Sequence, residues 1–315
     1  MRIAVPMTVL ATALACSLGT APANARARVF VASYGNDSNP CTFGSPCKTF
    51  QVAVNAVDAG GEVTAIDSAG FGPINITKAV TITSPDGVEA GIVAAPGAEA
   101  ININAGPTDA VVLRALTLNG AGATSTGIVF NSGGSLTVTR CLLQNFADGI
   151  DMQPTTGMSF IITDTKVTNN QHSGISYIPQ NGSTAAIGII DHVEVSNNLD
   201  FGIELVTPLA GGTTNVAISN SIVYNDGTGI FFLTGTNTNG LYVSIDNTTV
   251  TANSGGGIEA NDTVKVLLRR SMITENSIGL SNSSNPNMVY SYQDNSINDN
   301  RLDFAGSAPL PVALQ

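Results

Sequence analysis

Five titratable side chains, Asp148, Asp151, His172, Asp200 and Glu204, fall at matched places in three consecutive repeats of this sequence. Each repeat carries a Gly-Ile or Gly-Leu step: Gly127-Ile128, Gly149-Ile150, Gly174-Ile175, Gly202-Ile203, Gly229-Ile230, Gly257-Ile258 and Gly279-Leu280. Registered on that step, the residue after the apolar one gives an outward column of Val129, Asp151, Ser176, Glu204, Phe231, Glu259 and Ser281. Two residues before the Gly runs a second column, with His172 and Asp200 on adjacent repeats, and Asp148 directly precedes its Gly. If the repeats are stacked strands ~4.8 Å apart, three rungs bring all five groups within ~10 Å of one another along the stack.

Two chemistries suit such a cluster. Carboxylates on neighbouring rungs can act as acid and base on a glycosidic bond, at a separation that depends on the mechanism. Alternatively, Asp151 and Glu204 can hold Ca²⁺ against a uronate, the cation bridging an acidic protein and an acidic glycan. His172 can shuttle a proton near neutral pH. Phe231 offers a flat face to a sugar ring, and Glu259 extends the acidic column as a further substrate contact. A structural reading stands beside these, because outward positions on any rung must be polar, and Asp and Asn in turns cap the backbone.

Several classes are disfavoured. The chain has 12 Lys and Arg against 23 Asp and Glu, and the absence of a basic face argues against nucleic acid or an anionic membrane as partner. Polyanionic glycans would need a divalent cation between the two negative surfaces. No Arg or Lys falls within the acidic columns, Arg269-Arg270 lies rungs away, and Trp is absent. Phosphate loops, serine elbows and zinc spacings are also missing. Residues 1–25 read as a secretory signal: Arg2 near the start, an apolar core over residues 9–18, and Ala23-Asn24-Ala25 as the cleavage site. That apolar run is too short to span a bilayer, so a secreted, periplasmic or extracellular protein is expected. In an oxidising compartment Cys41 and Cys47 should pair, while Cys141, at a repeat position, reads as a buried inert thiol.

The elements that must position the cluster follow from the repeat. Successive steps lie 22, 25, 28, 27, 28 and 22 residues apart, and such a period signals a solenoid whose loops absorb the variation. Asn145, Asn170, Asn198, Asn225 and Asn253 each stand four residues before a step and suit a stacked corner. The residues after each Gly should form an inner aliphatic ladder, and so should Leu142, Val167, Val195, Ile222, Val250 and Ile273. Lys166 and Glu194 share an outward column and should pair. Ahead of the rungs, Thr49 can cap an amphipathic helix carrying Phe50, Ala53, Val54 and Val57 on one face, ended by Gly60-Gly61. Laid across the open end of the first rung, that helix would protect it.

The Asn-x-x-x-Gly-Ile rungs, over residues 63–304, resemble the right-handed parallel β-helix, or pectate-lyase-like, superfamily. The opening segment Val31-Ala32-Ser33-Tyr34-Gly35-Asn36-Asp37, followed by Pro46-Cys47-Lys48-Thr49-Phe50-Gln51, is similar to the capping segment of many exported bacterial members. The resemblance implies an all-β, right-handed parallel β-helix with an N-terminal helical cap. It divides the chain into a signal (1–25), a cap (26–62), a β-helix of ten or so rungs (63–304) and a tail (305–315). For function it implies less, since members include lyases, hydrolases, esterases, epimerases and adhesins. The basic proton abstractor of the lyases, the Asp-Asp-Arg set of the esterases and the Arg-x-Lys segment of the hydrolases are not found at the corresponding rungs. The sequence therefore points first to a non-catalytic protein that binds extracellular polysaccharide or a cell surface. The alternative is a polysaccharide-active lyase, epimerase or hydrolase using the acidic cluster.

Overall fold

The computed structural model describes residues 26–121, 124–180, 183–207, 211–235, 240–282 and 289–313. The segment read as an export signal lies outside them. Successive coils of the chain supply strands to three parallel sheets. Among the described residues the first sheet has 12 strands and the other two have 10 each. All strand pairs join one coil to the next, so the molecule is a parallel β-solenoid, as the repeat predicts. None of the described helices is long and apolar enough to cross a membrane.

Stacking of like on like explains the composition. In the third sheet Ile128, Ile150, Ile175, Ile203, Ile230, Ile258 and Leu280 pair in unbroken register and are fully buried. The Gly before each of them is required by space. At Gly174 an added Cβ would lie 2.7 Å from Val195 Cγ1 and 2.9 Å from Asn198 Nδ2. Both the Gly and the Ile thus face the interior, and strand alternation breaks at this point. The pairing records the break: Ser173 meets Phe201 and Ile175 meets Ile203, with no partner given to the Gly between them.

Two sequence expectations are corrected by one residue. The inner ladder of the second sheet is Leu143, Val167, Val195, Val223, Val250 and Ile273, all buried. Leu142 and Ile222 instead occupy the outward column with Lys166 and Glu194. Each sits beside another apolar residue, so hydrophobicity alone could not choose the inward one. The corner ladder is likewise Asn170, Asn198, Asp226, Asn253, Asn276 and Asn300, joined amide to amide or backbone to side chain. Asn145 and Asn225 precede that ladder in left-handed backbone, at φ 63° and 57°. Some rungs hold three residues between ladder and Gly and others two, so counting back from the Gly slips register.

The helix spans Phe50–Ala56, capped by Thr49, whose side chain accepts from the Val52 amide. Phe50, Ala53 and Val54 are buried against the first coil. Cys41 and Cys47 form a disulfide, and the Asp37 carboxylate fastens the Cys loop to the helix start by accepting from the amides of Lys48 and Thr49. Cys141 is buried, and desolvation pushes its thiol up to about 11, which removes it as a nucleophile. At the far end, Leu310–Pro311 adds a last strand to the first sheet, paired with Val289–Ser291.

Candidate functional site

The third sheet carries the acidic cluster. Asp151, Ser176, Glu204, Phe231, Glu259 and Ser281 pair in sequence as one outward column, each between inward residues. Because the Gly step breaks alternation, the residue before it also faces outward and adds Ser173 and Phe201 to the same surface. Asp148, Asp151, His172, Asp200 and Glu204 all line one open cleft of about 250 Å³, joined by Gln153, Ser173, Ser176, Ile178 and Phe201. The five residues expected from spacing are thus brought together.

Hydrogen bonds fix the carboxylates. Gln153 Nε2 donates to Asp151 Oδ2 at 2.5 Å, and Ser173 Oγ donates to Glu204 Oε2 at 2.8 Å. Asp148 Oδ1 accepts from the Ser173 amide at 3.1 Å, while its Oδ2 stands 3.6 Å from Nδ1 of the exposed His172. Burial pushes the Asp151 carboxyl up to about 6. The hydrogen bonds from Gln153 and Ser176 oppose that shift, and the negative charge of Asp148 adds to it. Glu204 is also raised, by burial first and then by Asp148, Asp151 and Asp200, against the bond from Ser173. Burial and mutual repulsion thus hold both carboxyls above the ordinary carboxylate range.

Phe231 lies one rung beyond Glu204 and stacks on Phe201, with ring centroids 4.8 Å apart and planes tilted by 37°. Phe201 was not among the residues expected from the sequence. Its only signal is the position before a Gly step, which becomes outward once the Gly turns in. Glu259, one rung further, accepts from Thr228 Oγ1 at 3.3 Å and does not line the cleft. Lys or Arg is absent from the described residues that line it. No group of three or more His, Cys, Asp or Glu among the described residues is arranged to hold a metal ion. Away from the cleft, Lys166 and Glu194 pair at 2.6 Å, and His192 pairs with Asp191 at the surface, also at 2.6 Å.

The chain matches no curated protein. A family model described as periplasmic copper-binding protein (NosD) matches residues 98–243. Among solved structures, pectate lyase Pel9A is similar with a TM-score of 0.53 and 12% identity, covering 91% of this chain and 77% of that one. A rhamnogalacturonan lyase matches with a TM-score of 0.45 and 12% identity, over 82% of this chain and 75% of its own. The A-module of the Azotobacter vinelandii mannuronan C-5 epimerase AlgE6 matches with 0.43 and 12%, over 84% and 92%. At 12% identity the likeness to the pectate lyase is one of fold.

Proposed function

We propose that this chain, a right-handed parallel β-helix of the pectate-lyase-like fold, is exported and binds a neutral glycan in the cleft between Asp148 and Glu204 without cleaving it. The observation that carries this reading is the juxtaposition of hydrogen-bonding carboxyls with Phe201 in the cleft and with Phe231, which stacks on Phe201 one rung beyond it. Sugar hydroxyls donate well to carboxylates, and the apolar face of a pyranose packs on an aromatic ring. A long glycan can lie along the rod, where successive rungs present further polar side chains. A cleft lined by four acids and no Lys or Arg favours neutral chains, since a uronate would meet like charge. Calorimetry with neutral oligosaccharides tests it. Binding should weaken at least tenfold in both Phe231→Ala and Asp151→Ala, and unaltered affinity in both would remove the cleft from the account.

One observation favours a second reading, catalysis of glycoside hydrolysis. Asp151 at about 6 and a raised Glu204 are the kind of carboxyls that serve as general acid near neutral pH. Newly formed reducing ends would establish it. Copper, which the matched family's description names, does not suit the donors among the described residues. Copper sites draw on His, Cys and Met in convergent sets. Here His172 and His192 each sit beside a different Asp, and Cys141 is buried as a thiol of raised pKa.

A further inference from the structure

The first sheet carries an outward face that the acidic cleft does not use. Two neighbouring columns bound it, one mixed and one largely apolar. One runs Ile187, Asn215, Tyr242, Lys265, and the next runs Ile161, Ile189, Ala217, Ser244, Leu267, Tyr290. Ile187 is 63% exposed, an unusual state for a large aliphatic side chain in a protein whose surface is otherwise rich in Ser, Thr and Asn. The small side chains of Ala217 and Ser244, set between Ile189 and Leu267, hollow the face into a trough of about 500 Å³ aligned with the rod. At one end stands Lys265. Its ammonium lies 5.2 Å from the centroid of the Tyr242 ring and makes no ion pair among the described residues.

We propose that this trough binds a long-chain acyl carboxylate. Its carboxylate would pair with Lys265 beside Tyr242, and its hydrocarbon would run over Ser244 and Ala217 toward Ile189 and Ile187. Three features converge on that chemistry. The lining is mostly apolar, with Asn215 and Ser244 the polar side chains of its middle rungs, which suits methylenes and offers few partners to sugar hydroxyls. The trough follows the rod axis, because outward residues of a parallel β-helix stack in straight columns. One cation stands at one end of the trough, in a chain of net charge −11. A single-headed amphipathic anion matches this asymmetry, whereas a second copy of so acidic a chain would bring further negative charge and no head group for Lys265. Lys265 over a tyrosine ring is also held where its charge can meet an incoming carboxylate.

Calorimetry with sodium dodecanoate, below its micellar concentration, tests the proposal on the folded protein. One molecule should bind per chain. Lys265→Glu should weaken binding about tenfold or more, while leaving binding of dodecanol, the uncharged analogue, unchanged. Ala217→Trp, which fills the hollow from an outward position, should abolish binding of both. Far-UV circular dichroism melts would confirm that both variants remain folded, and Lys265 is exposed enough for its exchange to be harmless. Absence of binding by the wild type overturns the proposal, as does binding indifferent to both substitutions. So does sedimentation showing a dimer that Ala217→Trp dissociates, because the face would then belong to a second copy.

Discussion

Replacing Asp226 with Asn should stabilise this protein, and more so as pH rises. Asp226 is the one acid in a buried corner ladder otherwise made of Asn, and is 2% exposed. In the all-Asn steps each Nδ2 donates to the Oδ1 of the next rung, as from Asn170 to Asn198 and from Asn253 to Asn276, both at 2.8 Å. Asp226 Oδ1 accepts from Asn198, but its Oδ2 has no partner and occupies the place that an amide nitrogen takes on other rungs. Only a protonated Oδ2 could donate onward. Desolvation raises the carboxyl from 3.8 to about 7, opposed by the Asn198 hydrogen bonds. The native state thus binds more protons than the unfolded chain between those values, and stability falls as pH rises through that window and levels off above it. A shift of about 3 units corresponds to about 4 kcal/mol at pH 8 and about 2 kcal/mol at pH 5. The Asn variant keeps the ladder bond at every pH, so its advantage should widen by about 2–3 kcal/mol between pH 5 and 8. Chemical denaturation followed by far-UV circular dichroism measures this, since the chain has no Trp to report by fluorescence. Parallel pH profiles for wild type and variant would refute the reasoning.

Other consequences follow from the same packing. Ile203→Asp puts a charge into a fully buried ladder and should cost several kcal/mol, melting the neighbouring coils; an unchanged melting curve would contradict the inward assignment. Gly174→Ala should cost about 1–3 kcal/mol, because its Cβ meets a backbone carbonyl, a Val methyl and a ladder amide at once. An equally stable Ala variant would show that space is not what the repeated Gly provides. Asp151→Asn should raise the thermal midpoint at pH 8 and do so less at pH 5, since burial holds the native carboxyl at about 6, above its unfolded value. A lower midpoint at pH 8 would mark the ionised carboxylate as a structural support.

The register of the third sheet was legible in the sequence because one signal, an apolar residue after Gly, recurs without insertion between it and the strand. For that reason spacing alone places Asp151 and Glu204 in one column, with Asp148, His172 and Asp200 beside them. Leu142 and Ile222 were misplaced because each is half of an apolar pair, and only packing shows which member turns inward. Asn145 and Asn225 were misplaced because the corner length varies by one residue. Phe201 escaped notice since its outward direction depends on the Gly step suspending strand alternation, which periodicity cannot express. The Asp226 anomaly was hidden for the same reason as the Asn slip: it shows only once the true ladder is in register. The apolar trough was missed because its columns are interrupted by Asn215 and Ser244, so no single strand reads as exposed and hydrophobic.

The central claim is that the acidic cleft holds a neutral glycan intact. Incubating the protein with neutral glucans, pectate and alginate, and recording both retention and chain length, tests it most directly. The account predicts that a neutral glucan is retained at full length, and that Asp151→Ala with Glu204→Ala abolishes retention while the fold persists. Shortened or unsaturated chains would contradict the non-catalytic reading, and retention of none of the glycans would contradict the glycan site itself.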